Sequence, residues 1–118
     1  MDHSEMEQIL FNLILHAGEA RTKAKEAAES AKERDWGSAQ TLMDEANEEQ
    51  LKAHKVSAQL IKQEAKGEKV EFSILLAHAL DLLILAWSEI DYTDQFIETS
   101  KRLTALEDEV AQWKSQQS

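Results

Sequence analysis

The sequence predicts an all-α fold, an antiparallel three-helix bundle with a long C-terminal helix. Three observations carry this. The 118 residues include no proline and only three glycines (Gly18, Gly37 and Gly67), while helix formers dominate. Apolar residues recur at spacings of three and four, which places them on single helical stripes. Only two stretches, "ERDWGSA" and "KGEKVEFS", interrupt the pattern. The length suits one domain, residues 1–118, with helices at about 4–33, 36–66 and 71–115.

In the first helix the stripe runs Met6, Leu10, Leu13, Ala17, Ala20, Ala24, Ala27 and Ala31. It changes from large residues to alanine, so its second half admits a close neighbour. Asp35 follows as the N-cap of the second helix, its carboxylate facing the free N–H groups of the first turn. The second stripe is Ala39, Leu42, Ala46, Ala53, Val56 and Leu60, with Glu49 as its weak position. Gly67 marks the next break.

The third helix would be about 60 Å long, against about 45 Å for the others. Its surplus carries its own pattern. Leu103, Leu106, Val110 and Trp113 follow the three-four-three spacing of a coiled-coil seam, which predicts self-association. Upstream, Phe72–Trp87 is apolar on every side, so a second copy of the chain is expected to cover what the bundle leaves open.

The formal charge of −10 disfavours nucleic acid and anionic membranes, since both need a cationic face. A basic protein partner fits. The start, "MDHSEMEQ", lacks the basic-then-apolar plan of a signal peptide. The apolar run falls short of the roughly 20 residues that span a bilayer. With no cysteine there is no disulfide framework. These features predict a cytoplasmic protein.

Within "ILLAHALDLLILAW" stand His78 and Asp81, three residues apart on one helical face. If buried, the carboxylate needs a partner, a proton or a metal. A neutral imidazole with one nitrogen held leaves the other as nucleophile or ligand. A structural histidine is the plainer alternative. His-x-x-Asp supplies too few ligands for tight metal binding, so further ligands would come from another helix or subunit. His3 sits at a fraying end, and His16 and His54 read as ordinary structural or surface residues. No phosphate loop, nucleophile elbow or zinc spacing is present.

Several segments together resemble the IIA components of the lactose/cellobiose branch of the bacterial phosphotransferase system. "LILHAGEARTKAKEA" is similar to an apolar run followed by Gly-x-Ala-Arg, here Gly18, Ala20 and Arg21. "AKERDWGSAQTLMDEA" resembles the family's join between helices one and two, and "LKAHKVSAQLI" its Glu-Ala-His segment. "LLAHALDLL" resembles His-Ala-Gln-Asp-His-Leu. The resemblance runs from residue 5 to 103. It implies a homotrimer of three-helix units, with His78 the phosphorylated histidine and Asp81 near the trimer axis, where a divalent cation such as Mg can sit. It also implies a phosphohistidine carrier, a phosphotransferase component taking phosphoryl from HPr and passing it to a IIB component.

The chain departs from the pattern around that histidine. Leu80 replaces the glutamine, Leu82 the second histidine, and Ser57 and Ala58 a Gln-Thr pair. These changes remove polar groups. They keep a second function class open, a natural or engineered helical oligomer or interaction scaffold that retains the fold without the transfer.

Overall fold

The computed structural model describes residues 2–117; Met1 and Ser118 of the expected domain lie outside them. Its elements are α1 (His3–Lys32), α2 (Trp36–Ala65) and α3 (Ile74–Gln117), and no strand occurs among the described residues. None of these helices is long and apolar enough to cross a membrane. The first two match the sequence-based bounds within a residue. The third starts at Ile74 instead of 71, because the Ser73 hydroxyl accepts from the Leu76 N–H at 3.0 Å and caps it there.

Both connections are defined by helix-ending geometry. After α2, the Glu68 N–H donates to the Gln63 carbonyl and the Gly67 N–H to that of Glu64, with Gly67 at φ 89°. This is the pattern a left-handed residue makes possible. The α1–α2 turn repeats it with Arg34 at φ 61°, a conformation that costs a non-glycine residue about 1–2 kcal/mol. Arg34 then reaches α3, 3.2 Å from Asp108 and 3.8 Å from Glu107. Asp35 caps α2 by accepting from the Ser38 N–H at 3.2 Å, and the Ser38 hydroxyl, then this N–H, hold its carboxyl below the usual range. The expected N-cap is thus present.

Cross-helix pairs fix the topology. Lys23–Glu45 at 3.0 Å ties α1 to α2 running antiparallel. Arg21–Glu89 at 2.9 Å ties α1 to α3 running parallel. Lys101 lies over the Trp36 ring, 5.8 Å from its centroid, and joins α3 to the start of α2.

The core lies along the α1 stripe read from sequence, with Leu10, Leu13 and five alanines buried. In α2 the stripe is wider than expected. Ala39, Met43, Ala46, Gln50, Ala53, Ser57 and Leu60 are buried, at alternating steps of four and three. Leu42 and Val56 are half-buried at its edge. Gln50 and Ser57 were hidden by their polarity. The Gln50 amide donates to the Leu83 carbonyl at a long 3.4 Å, and its own oxygen has no partner among the described residues.

The molecule is 74 Å long and about 20 Å across. Because the α1–α2 turn reaches α3 at Glu107 and Asp108, the rest of α3 projects past the bundle. The sequence expectation that α1 and α2 are too short to cover the seam holds for Val110 and Trp113, whereas Leu103 and Leu106 stand level with the bundle and face out.

The alanine contact sets opposite limits on substitution. Ala24→Leu overfills it and should cost about 1–3 kcal/mol. Leu13→Ala truncates one of the two largest fully buried side chains and should cost about 2–5 kcal/mol. Urea unfolding of the two variants measures both.

Candidate functional site

α3 turns Ala79, Leu83, Ala86 and Ile90 into the bundle. The opposite side, half a turn away, carries Ile74, His78, Asp81, Leu85, Ser88, Tyr92 and Phe96, and all seven are exposed. The expectation of an all-round apolar segment is therefore resolved into sides. Leu75, Leu76 and Leu82 pack against the core as half-buried residues, while Ile84 and Leu85 face out.

His78 and Asp81 lie together on the outward side. In the chain alone both are exposed, so the expected burial of the carboxylate is not met by its own bundle. The reason is angular: the inward positions are 79 and 83, and 78 and 81 fall on the far side of the helix. Neither side chain is held by a hydrogen bond or ion pair within the described residues. No group of three His, Cys, Asp or Glu residues placed to hold a metal occurs among the described residues. Asp81 therefore offers one carboxylate to a cation, and a full ligand set needs copies or partners.

The departures noted in sequence do not all surround the imidazole. Leu82 packs on the core and Leu80 is half-buried. Ser57 is buried between helices, and Ala58 is exposed on α2. Gly18, Arg21 and Thr22 line a groove of about 570 Å³ between α1 and α3, with Glu89 and Tyr92 opposite. The Gly-x-Ala-Arg segment thus builds the helix contact: Ala20 is buried and Arg21 binds Glu89.

The other histidines are engaged. His3 pairs with Glu7 at 3.0 Å. His54 leans on Trp87, ring centroids 5.4 Å apart. His16 Nδ1 lies 2.7 Å from Glu49 across the α1–α2 contact, partly buried. Lys52 adds a second bond to Glu49 at 3.1 Å. The His16 bond, then Lys52, hold the Glu49 carboxyl below its ordinary value against the opposing effect of burial. Sequence reading missed this pair. The hairpin at Glu33–Asp35 sets which residues of α1 and α2 sit level, and that register was the available signal.

The comparisons with known proteins agree with this architecture. The family model described as "PTS system, Lactose/Cellobiose specific IIA subunit" matches residues 8–101. The chain belongs to this IIA family. The lichenan-specific phosphotransferase enzyme IIA component of Bacillus subtilis is 41% identical over 86% of the chain and 93% of its own length. The crystal structure of the PTS cellobiose-specific enzyme IIA from Bacillus anthracis superimposes with a TM-score of 0.83 at 41% identity, over 89% of this chain and 94% of that one. The chitobiose IIA of Escherichia coli, solved in complex with HPr, gives 0.74 at 30% identity, over 83% and 95%. In this IIA chain the outward side of α3 from Ile74 to Thr99 falls inside the matched span, whereas Leu103–Trp113 falls beyond it.

The low Glu49 pKa sets an acid limit on the His16 pair. Its stabilisation is complete above the unfolded value, near 4.5, and is lost as pH falls through the lower folded value. In the acid range, the gap in thermal midpoint between wild type and Glu49→Gln should narrow as pH falls below about 4.5.

Proposed function

We propose that this IIA chain is a cytoplasmic phosphohistidine carrier in which His78 accepts phosphoryl from HPr and passes it to a IIB component. One observation supports it above others. Within the family-matched span, His78 is the histidine whose ring is exposed and unengaged, while His16 is bound to Glu49 and His54 rests on Trp87. An exposed ring on the outward side of a rigid helix can meet two partners in turn.

The step needs little from the protein beyond position. A ring nitrogen of His78 offers its lone pair to phosphorus, a P–N bond forms, and the bond to the donor breaks with its electron pair leaving on HPr. The reverse geometry delivers the group to IIB. The neighbours one turn away, Ile74, Leu75, Asp81 and Leu82, supply no cation or N–H donor. Donors to the phosphoryl oxygens therefore come from HPr, from IIB or from another copy.

We also propose that the outward side of α3 is shared between copies in a homotrimer. Three Asp81 carboxylates near one axis would repel, and a divalent cation such as Mg would offset that repulsion. A ligand of this kind, bound only by the folded assembly, raises the thermal midpoint, and a chelator lowers it again.

Incubation with HPr, its upstream kinase and labelled phosphoenolpyruvate tests the carrier. Wild type should acquire acid-labile label and His78→Ala should acquire none. Label on His78→Ala would refute the assignment. No label on correctly folded wild type would favour the scaffold reading motivated by Leu80 and Leu82.

A further inference from the structure

The end of α3 has no counterpart in the family match, which stops at residue 101. It is helical to Gln117 and projects past the bundle. Leu103, Leu106, Val110 and Trp113 are 54%, 56%, 44% and 59% exposed. Their spacing continues, without a skip, the outward line of Tyr92 and Phe96. A shallow groove of about 370 Å³ runs beside Leu106 and Val110. A free helical end of about ten residues is marginal in water by itself. This one exposes Val110 and Trp113, and Leu103 and Leu106 continue the same edge back along the bundle.

The charges flanking this edge say what covers it. With Leu103 and Val110 at a and Leu106 and Trp113 at d, Arg102 and Glu109 occupy g and Glu107 and Lys114 occupy e. In a parallel, in-register coiled coil each g residue faces the e residue five positions on in the neighbouring helix. Arg102 then faces Glu107, and Glu109 faces Lys114. Both pairs are attractive. The same residues also oppose slippage by one heptad, which would bring Glu109 near Glu107 and Arg102 near Lys114, both like-charged.

We propose that residues 103–113 form a parallel, in-register coiled coil between copies of this chain, an association device added beyond the IIA domain. Arg34 supports it from within each chain, since its bonds to Glu107 and Asp108 hold the projecting helix in line with the bundle. The inference does not rest on phosphotransfer, and its readout is association.

The test uses the full chain, which has no native cysteine. Val110→Cys should cross-link copies under mild oxidation, because equivalent a positions meet only in a parallel, in-register seam. Gln112→Cys, pointing away from the seam, should not. Charge reversal supplies the second arm, read by sedimentation at low salt in enough urea to bring dissociation into range. Glu109→Lys and Lys114→Glu should each raise the apparent dissociation constant about fivefold, and the double variant should return to within about twofold of wild type. A monomeric wild type, equal cross-linking of the two cysteine variants, or a double variant no better than the singles would overturn the proposal.

Discussion

The constraint on which the fold depends is the alanine contact between α1 and α2. Ala17, Ala20, Ala24, Ala27 and Ala31 are buried on one helix, and Ala39, Ala46 and Ala53 on the other. Small side chains favour the short end of the usual interaxial range of about 8–10 Å. Each alanine buries little area, so the larger contributions come from Leu10, Leu13, Met43, Leu60, Leu83 and Ile90 along the same core. A narrow pair of helices offers a third helix only a strip to lie on. α3 fills that strip with Ala79, Leu83, Ala86 and Ile90. Its remaining apolar residues then have no bundle to enter. The exposed side of α3 is thus a geometric result of the tight α1–α2 pair.

The same constraint explains what was legible in the sequence. Three helices, their breaks, the Asp35 cap and the α1 core could be read directly, since each depends on local spacing and chain composition. The start of α3 could not, because apolar Phe72 continues the pattern and only the Ser73 cap ends it. Gln50 and Ser57 were missed because a stripe read by hydropathy skips polar residues that share its angle. Burial of Asp81 was inferred from hydrophobic neighbours, yet neighbours in sequence point in all directions around a helix. Angle relative to the core decides exposure, and the core direction of α3 is set by the other two helices. The His16–Glu49 pair, likewise, is a fact of register between elements.

Electrostatics at the candidate site lean in a consistent direction. The chain carries a formal charge of −10, and the residue on the face of His78 one turn on is another acid. A phosphoryl group on that imidazole would find like charge in its own chain. Such surroundings give a bound phosphoryl group little stabilisation in the resting state. For the proposed carrier this is favourable, because a group held no more tightly than necessary is released at less cost to the next acceptor. Leu80 adds to the effect by leaving the helix without a polar side chain at that position, while Leu82 is turned to the core. A cation shared by Asp81 residues would act in the opposite sense, lowering the repulsion at the cost of firmer holding.

The histidine proposed to react and the proposed seam stand on one outward line of one helix, but at opposite ends. Val110 lies 32 residues on from His78, about 48 Å along the axis. If the outward side had to secure association near His78 alone, it would need apolar packing around the imidazole. That packing would shield the ring from the proposed partners, HPr and IIB. A seam beyond the bundle relieves this conflict, because association gained at Leu103–Trp113 raises the effective concentration of the sides that carry His78. The middle of the line can then remain mixed, with Asp81, Ser88 and Thr99 between Leu85, Tyr92 and Phe96. On this account the two polar residues in the most hydrophobic stretch are tolerated because contact between copies does not depend on that stretch alone.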